Sequence, residues 1–72
     1  MTNQQQAMIE YTTQEVILYI MEDRGFTMEQ AMEHFFLSDT FCLLSDIKMG
    51  LYLDGSSYVY EMMKREDAQN KI

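Results

Sequence analysis

Three glycines are the strongest interruptions in this sequence, because it contains no proline. Gly25, Gly50 and Gly55 divide the chain, and apolar residues recur at helical spacing in the longer segments between them. With 72 residues, the chain has room for one domain. We therefore predict that residues 1–72 form a single all-α domain, a small bundle of three to four short helices.

Capping residues indicate where each helix begins and ends. Thr27 and Gln30 have the spacing of a capping box, and Gly25 suits the left-handed position after a helix. Residues 46–55 are predicted to form an ordered loop, with edge pairing across a dimer as the alternative. The first expected helix begins at a cap at Thr2 or Asn3 and ends at Arg24. The second runs from Met28 to Leu37 and the third from Asp39 to about Ser45. The last runs from Ser57 to about Ala68, after a cap at Ser56.

The first helix is predicted to be apolar on two faces. Ile9, Val16 and Ile20 share one face, whereas Tyr11, Leu18 and Met21 fall towards the opposite side. Large exposed apolar patches are rare on monomers, so the second face is interpreted as an interface. Tyr60 is predicted to point away from the apolar face of the last helix and to extend this contact patch. The residues expected in the core include Met28, Met32, Met62, Met63 and Cys42.

The net charge of -7 lies entirely in residues 1–47, where Arg24 is the single basic residue among eight acidic ones. Residues 48–72 hold four charges of each sign. Such an asymmetry repels phosphate and attracts a basic partner. The second helix, which would have to read DNA in a helix-turn-helix, carries Glu29 and Glu33 and no lysine or arginine. We therefore expect no nucleic-acid partner.

The residues that could support catalysis or bind a metal are few. His34 and Cys42 are the sole histidine and cysteine, and nucleophilic catalysis would need them within hydrogen-bond reach. Cys42 stands among apolar residues and is expected to be inert, while His34 suits a surface or capping role near a helix end. Glu29 and Glu33 lie one turn apart, but a solvated acidic face is the simpler interpretation. We predict no enzymatic activity, no catalytic residue, no metal and no cofactor.

The sequence shows no feature of a membrane or secreted protein. Its longest apolar run, 16–21, has six residues, far fewer than the ~20 that a spanning helix needs. No basic segment precedes an apolar stretch as in a signal peptide. A lone cysteine cannot form a disulfide within the chain, and we expect a cytoplasmic location without membrane contact.

A set of apolar and capping positions from Phe26 onward forms a recognisable pattern: residues 27–31, Phe36, Ser38, Leu44, 50–53 and 57–61. In these positions the chain resembles a group of small, uncharacterised bacterial helical proteins, a domain of unknown function, some of which are encoded beside toxin-like partners. The likeness covers roughly the last two-thirds of the chain and implies a helical fold and an operon context, but no active site. Many relatives have proline where Ser57 stands, which suits the first turn of a helix.

These observations predict a small acidic protein–protein interaction module. The resemblance adds an antitoxin-like or accessory role in a bacterial two-component system of the toxin–antitoxin type. A small transcriptional regulator and a structural homo-oligomer without catalytic activity are the alternatives. The partner is expected to be a basic protein or a second copy of the chain in a homodimer. The predicted partner-binding residues are Tyr11, Glu15, Leu18, Met21, Glu22 and Tyr60.

Overall fold

The computed structural model describes residues 2–70, so Lys71 lies outside it. Within this range, four α-helices and two short 3-10 turns form the fold, and no strand is present. The prediction of a small all-α bundle is therefore confirmed. The elements are α1 (Asn3–Arg24), α2 (Met28–Phe36), α3 (Asp39–Ser45), the 3-10 turns Ile47–Met49 and Leu51–Leu53, and α4 (Ser56–Asn70).

Local capping accounts for the starts of α1 and α2. Thr2 caps α1: its hydroxyl accepts from the Gln5 N–H at 3.1 Å, and the Gln5 side chain accepts from the Thr2 N–H at 3.0 Å. The predicted box at α2 has the same form, with 3.2 Å and 2.9 Å between Thr27 and Gln30. Gly25 ends α1 with φ +67°, a conformation that side chains rarely adopt.

One hydrophobic core lies where the four helices meet. Helix α1 packs against both α2 and α4, and α3 packs against α4. Burial of large side chains from every helix supplies the main stabilising free energy, roughly 1.5–3 kcal/mol for each fully buried one. The largest fully buried side chains are Val16 and Ile20 of α1, Phe35 of α2, Leu44 of α3, and Val59 and Met63 of α4.

The segment between α3 and α4 is an ordered loop, as predicted, and it contributes to the core. Its two 3-10 turns place Leu51 and Tyr52 in the interior, and the Gln5 amide donates to the Tyr52 hydroxyl at 3.0 Å. No strand forms here, so the edge-pairing alternative is wrong for residues 46–55. Helix α4 begins at Ser56, one residue earlier than predicted, because the Gly55 carbonyl already accepts from the Val59 N–H at 3.2 Å.

Candidate functional site

An apolar groove runs between α1 and α2, and we refer to it as the α1–α2 groove. Its volume is about 580 Å³, within the range of ligand and peptide sites. Apolar side chains form most of its surface, and Glu10 is the one charged residue among those that line it in the described range. The lining residues are Ile9, Glu10, Thr13, Gln14, Ile17, Leu18, Met28, Met32, Phe36 and Phe41.

Four of the lining side chains combine contact with the groove and exposure to solvent. The exposed fractions are 51% for Leu18, 55% for Met28, 36% for Met32 and 40% for Phe36. Single exposed apolar residues are ordinary on a protein surface, but a contiguous set in a groove is typical of a contact site. The structure therefore presents an apolar surface that residues 2–70 leave uncovered.

The prediction that Met28 and Met32 fill the core is wrong. The buried face of α2 is narrow, with Ala31 and Phe35 fully buried. Met28 and Met32 lie beside this buried face of α2, on the side that borders the groove, and remain partly exposed. The sequence did contain a signal: the apolar stripe of α2 is wider than one small core needs. Of the other two predicted core methionines, Met63 is fully buried and Met62 is partly buried against the core.

The second apolar face predicted for α1 is only partly exposed. Tyr11 is 63% exposed, and its hydroxyl donates to Glu15 at 3.1 Å. This hydrogen bond and the charge of Glu15 raise the pKa of Tyr11. Leu18 belongs to both this face and the α1–α2 groove, and Glu22 continues the face one turn later. Met21, by contrast, is partly buried and packs against the core.

The prediction that Tyr60 points away from the apolar face is wrong, because Tyr60 is buried between α1 and α4. Its ring lies 5.5 Å from that of Tyr19, and its hydroxyl donates to the Asp23 carboxylate. Burial first, then the hydrogen bond and charge of Asp23, raise the pKa of Tyr60 to about 12. Both the ring and the hydroxyl of Tyr60 therefore contact residues of α1. These contacts connect α4 to α1 and do not involve the groove.

Cys42 is exposed, so the prediction of a buried thiol is wrong. The two buried residues of α3 are Thr40 and Leu44. Cys42 lies two positions from each of them, about 200° round the helix, and therefore faces the opposite way. Its apolar neighbours in sequence do not determine its burial. An exposed thiol can be modified chemically, but exposure alone is no sign of catalysis.

His34 lies near the C-terminal end of α2, is half-buried, and belongs to a polar cluster with Arg24 and Asp67. Its Nε2 lies 2.9 Å from the Asp67 carboxylate, and Nη2 of Arg24 donates to the same oxygen at 2.5 Å. The three side chains connect the end of α1 and α2 to α4. Their partial exposure limits the stabilisation to that of a surface network.

Glu66 of α4 holds the start of α3. One carboxylate oxygen accepts from the Asp39 N–H at 2.9 Å, and the other accepts from the Thr40 N–H at 2.9 Å and its hydroxyl at 2.7 Å. Burial raises the pKa of Glu66, but these three hydrogen bonds together outweigh burial and lower the pKa below its ordinary value. The carboxylate thus supplements the Ser38 cap, which accepts from the Phe41 N–H at 3.1 Å.

Within residues 2–70, no group of three or more histidine, cysteine or acidic side chains is placed to hold a metal ion, and no helix has the length and apolarity to cross a membrane. Comparison with known proteins gives no match to a protein-family model, a curated protein or a solved structure. The function is therefore inferred from the geometry of the groove and the charge around it.

Proposed function

We propose that this chain is a small acidic protein–protein interaction module, and that its α1–α2 groove holds an apolar helix of another protein. The observation that carries the proposal is the set of partly exposed side chains Leu18, Met28, Met32 and Phe36 along one groove. Helix-in-groove binding uses this arrangement, in which apolar anchors of a partner helix fill a hydrophobic channel. Covering these side chains removes apolar area from water and so favours the complex.

The proposed mechanism is occlusion: the partner segment is active only when free, and binding in the groove covers it. An antitoxin-like or accessory role in the bacterial cytoplasm fits this mechanism and follows the resemblance described for residues 26–72. Tyr11 and Glu15 precede Leu18 on α1, Glu22 follows it, and all three share its face of the helix, so they would contact a partner larger than one helix. Catalysis plays no part in this proposal.

Site-specific crosslinking tests the location of the partner. A photoreactive amino acid at Met32 should crosslink a defined protein in the source cells, whereas the same group at Leu53 should not. Leu53 is 66% exposed and does not line the groove, so it is a matched control. Equal crosslinking from both positions, or none from Met32, would contradict the proposal.

The purified partner then allows a quantitative test. Leu18→Gln should raise the Kd roughly fivefold, because the complex would bury the exposed half of Leu18, worth about 1 kcal/mol. Leu53→Gln makes the same chemical change outside the groove and should leave the Kd within experimental error. Circular dichroism of both variants checks that the helices are intact. Equal affinities of the two variants would refute the groove as the binding site.

A further inference from the structure

We infer that the occupant of the α1–α2 groove is an amphipathic helix of about three turns whose apolar stripe is flanked by lysine or arginine. This inference rests on the proposed function and adds the chemistry of the partner. Three features of the molecule support it: the charge of the groove-forming helices, the position of the acidic residues beside the groove, and the length of the channel.

The helices that form the groove carry almost no positive charge. Helices α1, α2 and α3 together contain seven acidic residues, and Arg24 is their one lysine or arginine. Arg24 is bound to Asp67 of α4, at 2.5 Å, so its charge is offset at the far end of α1. A cationic helix approaching the groove therefore meets attraction along its whole length.

One acidic residue lies in the groove and another borders it. Glu10 lines it from the α1 side. On α2, Glu29 follows Met28 and Glu33 follows Met32, and both glutamates are exposed. On the helix wheel, Glu29 lies about 20° from Phe36 and so borders the groove, whereas Glu33 points away from buried Phe35 and lines a separate cleft on the other side of α2. Lysine or arginine side chains flanking an apolar stripe would reach Glu10 and Glu29 while the stripe fills the channel.

The channel has the length of a short helix. From Ile9 to Leu18, α1 rises about 13 Å, and α2 rises about 12 Å from Met28 to Phe36. Anchors at positions i, i+4 and i+7 of a bound helix span about 10 Å. Two to three turns of a partner helix therefore match the length of the groove.

A second copy of the chain is a poor occupant of the same groove. Two grooves facing each other would bring Glu10 and Glu29 of one copy towards those of the other, in molecules of net charge -7. The basic residues Lys64 and Arg65 lie on α4, but the large apolar side chains of that helix other than Tyr58, which is 44% exposed, pack in or against its own core. Helix α4 of a folded protomer therefore offers a neighbouring groove one exposed large apolar side chain, fewer than the three anchors of a bound helix.

Selection from a displayed peptide library tests the inference with the purified full-length chain as bait. The library consists of 16-residue helical peptides with fixed leucines at i, i+4 and i+7, and flanking positions drawn equally from lysine, glutamate, serine and alanine. Retention by the wild-type chain over the Leu18→Gln variant defines groove binding. The expected result is enrichment of lysine over glutamate at the flanks by about tenfold or more, lost at high salt.

Charge reversal then tests the same point with one selected peptide. Glu10→Lys should weaken its binding about threefold to tenfold, an effect of the size seen for a close charge pair, because Glu10 lines the groove. Asp54→Lys makes the same change of net charge at an exposed residue that does not line the groove, and it should change affinity less than twofold. Equal effects of the two variants would overturn the inference, because they would show attraction to net charge without contact at the groove.

The outcomes separate this inference from the proposed function. Groove-dependent peptides with glutamate or uncharged flanks would overturn the cationic helix and leave the groove as a binding site. Absence of any peptide that prefers the wild type over Leu18→Gln would overturn both. Sedimentation of the chain alone adds a third outcome: a dimer abolished by Leu18→Gln but not by Leu53→Gln would make a second copy the occupant and overturn the inference.

Discussion

Replacing Glu66 by glutamine should destabilise the fold, because it removes some of the hydrogen bonds between α4 and the start of α3. The carboxylate accepts three hydrogen bonds, from the Asp39 N–H and from the N–H and hydroxyl of Thr40. An amide has a single acceptor oxygen, so Glu66→Gln can keep the bonds to one of these residues and must turn its NH₂ towards the other. The start of α3 also loses a favourable negative charge.

The structure sets the size of this effect. One lost hydrogen bond is worth about 0.5–1.5 kcal/mol net, and the charge near the helix start adds about 0.3–1 kcal/mol. We therefore expect Glu66→Gln to lower the free energy of unfolding by about 1–2 kcal/mol. A core of this size rarely supplies more than roughly 3–5 kcal/mol, so the loss is easily measured. Urea unfolding followed by circular dichroism at 222 nm gives the free energy of unfolding of the wild type and of Glu66→Gln.

The difference in free energy of unfolding between wild type and Glu66→Gln should depend on pH, and this dependence makes the test specific to the carboxylate. The pKa of Glu66 is lower in the folded protein than its ordinary value, so the folded state favours the ionised carboxylate. Its stabilisation is complete above the unfolded pKa, about 4.3, and is lost as the pH falls through the folded pKa. The gap between wild type and Glu66→Gln should therefore be constant from pH 7 to about pH 5 and should narrow at lower pH.

A control separates hydrogen bonding from net charge. Glu33→Gln removes one negative charge from an exposed position on α2 that holds no helix start. It should leave the free energy of unfolding within about 0.5 kcal/mol of wild type. The reasoning is refuted if Glu66→Gln is as stable as Glu33→Gln, or if its deficit is the same at pH 3 as at pH 7.

Two further predictions concern side chains that sequence patterns placed wrongly. In a titration followed by tyrosine absorbance at 295 nm, one phase should have a pKa near 12 and should vanish in Tyr60→Phe; Asp23→Asn should move that phase to lower pH. Because the folded pKa of Tyr60 is raised, its stabilisation is present below pH 10 and is lost as the pH rises towards 12. A thiol reagent should label Cys42 in the folded protein about as fast as in urea, and slow labelling that urea accelerates would contradict its exposure.

The start of α2 and the end of α1 could be predicted because capping is local. Thr27 and Gln30 are three residues apart, and their two hydrogen bonds need nothing from the rest of the chain. Gly25 likewise acts through its own φ angle. The all-α fold follows from the same short-range signals, together with the spacing of the apolar residues.

The exposure of individual side chains could not be predicted in the same way, because it depends on distant segments. Tyr60 is buried by Tyr19 and bound by Asp23, 37 residues earlier in the chain. The hold of Glu66 on α3 joins residues 27 positions apart. The groove likewise depends on packing between separate segments. Whether Met32 is covered is set by the distance between α1 and α2, and no local sequence pattern encodes that distance.

The charge that surrounds the groove determines how salt should act on the molecule. Added salt screens the repulsion between two acidic copies, so contact between grooves of two protomers becomes easier as ionic strength rises. It also screens the attraction to a cationic helix, so binding of that partner becomes weaker. The two occupants therefore respond to salt in opposite directions. On the proposal made above, the same glutamates that attract the partner keep the exposed methionines and Leu18 of separate molecules apart while no partner is bound.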